Sequence, residues 1–191
     1  MKSDPIERHP RAAPSEPEAA VGIISCALPE EVILLLKRVH NDMDPWSGHY
    51  AFPGGRRENG DRSIFDTCIR EVFEETRISL EHDDLHRVCE PAQAGRNVEV
   101  PVLVQPYVFK LESRPRVTVE RKEIDSHLWL PIDSFRRLEN HRFVEIRPGM
   151  QRPVFPINDY YIWGFTYGLL CRLLDVDSSA VAAHEGQTTG F

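Results

Sequence analysis

The stretch from Phe52 to Ile78 constrains this chain more than any other. Phe52-Pro53-Gly54-Gly55 has the form of a strand running into a tight turn, where glycines let the main chain come close to a ligand. Ser63 to Thr76 follows with helical periodicity, Ser63 as N-cap and Asp66 three residues on in an approximate capping box. At the helical repeat, Glu71, Glu74 and Glu75 fall within an arc of about 100° on one face. Phe65, Ile69, Val72 and Phe73 take the opposite face and are expected to pack on a sheet. The chain must therefore supply a sheet under one side of this helix and a counter-charge over the other.

Three carboxylates on one face repel by a few tenths of a kcal/mol per pair, roughly, and become favourable around a divalent cation. Oxygen-only ligands suit Mg²⁺ or Mn²⁺, which keep water and substrate phosphates as further ligands. Arg70 directly precedes the cluster, placed to hold a carboxylate through a forked ion pair. Gly54 is placed to offer a carbonyl to the same cation, and Arg56 and Arg57 follow at once, suited to phosphate oxygens. Taken alone, the acidic face is a solvated surface and the Pro-Gly-Gly a turn. Their order along the chain is what points to phosphate chemistry.

Elsewhere, Val21–Leu28 and Glu31–Val39 form an expected hairpin around Pro29-Glu30. Val98–Leu111 is expected as a long strand, Val117–Val119 and His127–Leu130 as further strands, Pro131–Leu138 as a short helix and Asp159–Leu174 as a buried helix. Strands and helices interleave, so the class is α/β or α+β with a mixed sheet between helices. Residues 1–18 carry four prolines and one branched aliphatic residue, an arm that cannot offset its ordering entropy by burial. Residues 19–176 form the expected domain, and 177–191 a loose tail.

With 191 residues the chain suits one domain. Its 23 basic and 30 acidic residues give a net charge of −7, against a general nucleic-acid binder. No apolar run reaches the roughly 20 residues that span a bilayer, and the polar start lacks the core of a signal peptide. Four scattered cysteines form no CxxC pair, which suits a cytoplasmic protein without a disulfide framework.

The whole constellation resembles the Nudix hydrolase family. The family box runs from a Gly to a Glu six positions on, then to R-E-U-x-E-E-x-G-U, where U is aliphatic. Here Gly55 leads to Asp61, then Arg70-Glu71-Val72-x-Glu74-Glu75-x-Arg77-Ile78. Asp61 replaces Glu, the spacer to Arg70 is one residue longer, and Arg77 stands in place of Gly, implying an altered helix end. Leu35-Leu36-x-Arg38, the Gly48-x-x-x-Phe52-Pro53-Gly54-Gly55 run and the late Ile162-Trp163-Gly164 look like the coenzyme A pyrophosphatase branch. That branch places Arg four residues before the Gly, where this chain has Asp44.

The resemblance implies an α/β/α sandwich and an enzyme that hydrolyses a diphosphate in a small nucleoside diphosphate derivative, working as a monomer or homodimer. Coenzyme A or an acyl-coenzyme A leads, with ADP-ribose, a dinucleotide, a nucleoside triphosphate or a catalytically weakened binding module as alternatives. It implies Mg²⁺ or Mn²⁺ on Glu71, Glu74, Glu75 and the Gly54 carbonyl, with Arg70 and a general base completing catalysis. Glu71 and Glu75 are candidates for the base within the box. Glu120 and Glu123 are candidates outside it, Glu123 preferred. Arg38, Arg56 and Arg57 are the phosphate contacts, and Trp46 and Tyr50 are placed to stack on a base.

Overall fold

A computed structural model of the chain describes residues 16–40, 48–95, 101–158 and 160–181. The strands are β1 (Ala19–Leu28), β2 (Val32–Arg38), β3 (Tyr50–Ala51), β4 (Gly54–Arg56), β5 (Leu85–Val88), β6 (Ala92–Ala94), β7 (Val102–Ser113), β8 (Ile124–Pro131), β9 (Arg142–Arg147), β10 (Met150–Ile157) and β11 (Tyr160–Ile162). The helices are α1 (Ile64–Thr76), α2 (Ile132–Arg136) and α3 (Gly164–Leu174).

Alternation along the strands builds the layers. Ile23, Ile33, Leu35 and Val108 point to one side and pack with Leu169, Leu170 and Leu174 of α3. Ile24, Leu34, Leu36 and Phe109 point to the other and pack with Cys68 and Val72 of α1. A mixed sheet thus lies between helices, the α/β/α arrangement expected from the sequence. Its centre is the parallel pair β1–β7, running from Ala19 opposite Val104 to Leu28 opposite Ser113. β8 lines β2 antiparallel.

The feature that positions the site is a splay between β1 and β2. The two pair only beside their turn, at Ser25–Ile33 and Cys26–Val32. Further out, β3 pairs β2 at Leu36–Ala51 and Lys37–Tyr50, while β4 pairs β1 at Val21–Gly54, Ala20–Gly55 and Ala19–Arg56. The Phe52–Gly55 turn therefore fills a gap in the sheet itself, and Gly22 N–H donates to the Pro53 carbonyl at 2.8 Å.

Some expected elements differ. Tyr160–Ile162 is a strand paired with β10, and only from Gly164, at φ +63°, does the helix run. An unbroken apolar run had favoured one helix over both parts. Val117–Val119 is an extended segment without strand pairing. It instead lies along the end of α1, where Thr118 N–H donates to the Thr76 carbonyl at 2.9 Å. The β9–β10 hairpin was not anticipated, although Pro148-Gly149 marks its turn. At the ends of the described chain, Glu18 exchanges main-chain hydrogen bonds with Leu103 and Arg57, and Val181 is fully buried. Residues 1–15 of the expected arm and 182–191 of the expected tail lie outside the described residues.

Candidate active site

α1 begins as the sequence predicts, with Ser63 Oγ accepting from Asp66 N–H at 3.1 Å. Its faces are less clean than expected. Phe73 is 43% exposed, with the Arg77 guanidinium 5.5 Å from its ring centre. Glu75, drawn as part of a solvated face, is buried at 6% exposure. The helix lies close enough to the sheet that its fourth turn reaches beneath the Gly54-Gly55 loop.

Gly54 is required by the closeness of β1, and Gly55 by that of the helix. Gly54 sits at φ +151°, and a Cβ there would come within 2.7 Å of Val21 Cα. A Cβ on Gly55 would lie 2.5 Å from the Glu71 carboxyl carbon. Gly54 N–H donates to Glu75 Oε2 at 2.9 Å. The loop thus presents bare main chain to two carboxylates at once.

These carboxylates are under electrostatic load. Burial pushes the Glu75 carboxyl up to about 8, with the Gly54 bond opposing and the charges of Glu71 and Glu123 adding to it. Burial likewise raises Glu71, against the pull of Arg70, and Glu74 and Glu123 raise it further. The charge of Glu71 thus raises Glu75, and that of Glu123 adds to both from the exposed side. Arg38 lowers Glu75 through its charge, which sets this guanidinium beside the cluster.

Among the described residues, no three acidic, histidine or cysteine side chains converge on a single metal point. Glu75 is turned to the Gly54 amide, whereas Glu71 and Glu74 each accept from Arg70 Nη1, at 2.9 and 3.0 Å. Glu74 remains half exposed. The donor set nevertheless fits a hard divalent cation: every candidate ligand is oxygen, and Glu71 and Glu75 are met only by Arg70, the charge of Arg38 and the Gly54 N–H among the described contacts.

The expected forked ion pair of Arg70 exists, but its partner is Asp61. Arg70 Nε and Nη2 meet Asp61 Oδ1 and Oδ2, each at 2.9 Å. Asp61 also accepts from Glu58 N–H and Thr67 Oγ1 at 2.9 Å, and the Arg70 partnership holds its carboxyl well below the usual range. Asp61 is one methylene shorter than Glu, and the longer spacer to Arg70 accompanies the substitution. A sequence signal for this existed in the paired departures of residue and spacing.

Arg77 ends α1 in the left-handed region at φ 60°, its N–H donating to the Phe73 carbonyl. The helix end is therefore the one glycine would give, a correction to the altered end expected. The segment after β7 closes it: Thr118 and Glu120 N–H groups donate to the carbonyls of Thr76 and Glu75. From there the chain turns to Glu123, which is exposed and acts on Glu71 and Glu75 through its charge.

The basic residues divide. Arg38 faces the cluster. Arg56 reaches Glu18 at 3.6 Å, and its carbonyl accepts from Arg70. Arg57 is anchored within its loop, donating to the carbonyls of Asp61 and Arg62 at 3.1 Å, with its side chain exposed. Tyr50 is buried in the core on the α3 side, so it is no stacking platform. Trp46 lies outside the described residues. An open hollow lined by Glu16, Glu18, Arg56, Arg57 and Asp61 lies beside the loop.

The model of the NUDIX domain matches residues 16–148. The chain is 28% identical to a Nudix hydrolase, NudL, of Pectobacterium atrosepticum, over 73% of this chain and 72% of that one. It is 29% identical to the peroxisomal coenzyme A diphosphatase ndx-8 of Caenorhabditis elegans, over 68% of this chain and 54% of the relative. A Schizosaccharomyces pombe protein is 35% identical over 52% of this chain, which spans only 32% of that relative's length. In fold, a MutT/nudix family protein from Enterococcus faecalis superposes with a TM-score of 0.59 at 14% identity, over 87% of this chain and 63% of that one. The chain belongs to the Nudix family, a class of hydrolases acting on diphosphate bonds.

Proposed function

We propose that this chain hydrolyses the diphosphate of a nucleoside diphosphate derivative, with coenzyme A or an acyl-coenzyme A as substrate. The observation that carries this reading is the pair of Glu71 and the buried Glu75 beneath the Gly54-Gly55 loop, with the exposed Glu123 acting on both through its charge. The choice of coenzyme A rests on the likeness to the nematode coenzyme A diphosphatase and on the sequence around Gly48–Gly55. A catalytically weakened module loses its support, because Asp61 still anchors Arg70 and Arg77 still ends the helix as glycine would.

Glu71, Glu74, Glu75 and the main chain of Gly54 would hold Mg²⁺ or Mn²⁺. Such an ion, when bound, neutralises diphosphate charge and makes water a better nucleophile near neutral pH. Glu123 takes the proton of the attacking water as its oxygen bonds to phosphorus and the bond to the departing phosphate breaks. Arg70, locked by Asp61, fixes the rotamer of Glu71. Arg38 and Arg56 supply guanidinium groups to the phosphate oxygens. On this reading the protein works in the cytoplasm, as a monomer or homodimer.

The test is a panel of coenzyme A, acetyl-coenzyme A, ADP-ribose, a dinucleoside polyphosphate and nucleoside triphosphates with Mg²⁺ or Mn²⁺, products identified by mass. Release of 4′-phosphopantetheine and adenosine 3′,5′-diphosphate as the fastest reaction supports the reading. A faster reaction on any other member reassigns the substrate.

A further inference from the structure

Arg77 occupies a backbone conformation that costs a side chain free energy and that the family pattern fills with glycine. On the helix its guanidinium covers the exposed ring of Phe73, and outside the helix Arg77 Nη2 lies 3.7 Å from Glu120 Oε2.

Glu120 is the hub of the turn that follows. Its N–H donates to the Glu75 carbonyl at 3.1 Å. Its own carbonyl accepts from Glu123 N–H at 3.1 Å and Ile124 N–H at 2.9 Å. Its other carboxylate oxygen accepts from Lys122 N–H at 3.3 Å. The far side of the turn is tied to the sheet, where Val39 N–H donates to the Glu123 carbonyl at 2.9 Å, next to Arg38. Glu123 is thus slung between the end of α1 and the end of β2, and the α1 attachment runs through Glu120.

We propose that Arg77 is a positioning residue: by engaging Glu120 it fixes the Glu120–Glu123 turn so that Glu123 faces Glu71 and Glu75. The proposal rests on the diphosphatase reading for its catalytic consequence only. An exposed ion pair by itself contributes little to stability. Here it holds the Glu120 side chain, whose other oxygen accepts from Lys122 N–H within the turn, and a small misplacement of a reacting group is costly to rate.

The test compares wild type with Arg77→Gly, Glu120→Gln, the double variant and the charge-swapped Arg77→Glu/Glu120→Arg. Steady-state kinetics, thermal melts and amide hydrogen exchange at 120–124 are measured on each. Each single variant is expected to lower kcat by about fivefold with KM unchanged. Arg77→Gly should melt at or above wild type, since glycine suits the left-handed position. The double variant should be no slower than the worse single one, and the swap should restore much of the rate. Exchange at Glu123 and Ile124 should rise by about fivefold in both single variants, from the same loss of restraint. Wild-type kcat in Arg77→Gly, multiplicative losses in the double variant, or unchanged exchange would each overturn the proposal. If the wild-type protein cleaves no diphosphate in the panel, the functional reading falls, and the exchange data alone decide whether Arg77 positions the turn.

Discussion

Replacing Glu75 by Gln separates what the fold wants at this position from what the site needs. Gln keeps the volume and an oxygen for the Gly54 N–H, and removes a carboxylate pushed up to about 8 from its ordinary 4.5. Because the folded-state value is raised, this group favours the fold fully below about pH 4.5, and that contribution is lost as pH rises toward about 8. At pH 7 the loss amounts to about 3 kcal/mol. In chelator at pH 7, Glu75→Gln should therefore unfold at a urea concentration higher than wild type by about 1 M. Near pH 4.5 the two curves should meet. Saturating Mg²⁺ should close most of the gap: wild type gains about 2.7 kcal/mol at a hundredfold excess over Kd, and the variant gains much less. The variant should also lose at least about tenfold in kcat. A variant no more stable than wild type in chelator, or an equal Mg²⁺ response in both, would refute the reasoning.

Gly55→Ala places a methyl 2.5 Å from the Glu71 carboxyl, so Glu71 must swing away; initial rates should fall at least about tenfold while the melt persists. Asp61→Asn breaks the forked pair with Arg70 and should cost about 1–3 kcal/mol in denaturant titration, with a lower kcat because Arg70 no longer holds Glu71. His141 is buried with its ring nitrogens on Tyr167 Oη and the Phe135 carbonyl, and burial holds its pKa below 6.5. The unfolded chain then takes up the proton more readily, so stability should fall as pH drops below about 6.5. His141→Leu should be less stable by about 1–3 kcal/mol at pH 8, from the two unpaired partners, and the gap should narrow toward pH 5 in urea titrations.

Local signals in the chain carried the helix and its chemistry. Ser63 caps α1 because its hydroxyl reaches Asp66 N–H, a bond encoded within four residues. The hairpin of β1 and β2 was legible from two apolar runs around Pro29-Glu30. What periodicity does not carry is where two strands part. The splay that admits Phe52–Gly55 into the sheet arises from β7 holding β1 and β8 holding β2, contacts far apart in sequence. That splay, in turn, buries Glu75, which an isolated helix would expose. Phe73 went the other way: the helix turns its neighbours Val72 and Thr76 inward and leaves this ring for Arg77 to cover. Tyr160–Ile162 shows a limit of apolar runs, since three such residues suit a strand or a helix and only the positive φ of Gly164 divides them. The tie between Asp61 and Arg70 was hidden in plain view, because a shorter acid and a longer spacer gain meaning only together.

If the diphosphatase reading is right, the acidic group beneath Gly54 and Gly55 works only with a divalent cation. The direct measurement is turnover of the fastest panel substrate by extensively dialysed protein, in excess chelator and after Mg²⁺ is restored. The account predicts no product above the uncatalysed rate in chelator and full recovery on adding Mg²⁺. Undiminished product formation in excess chelator would contradict it.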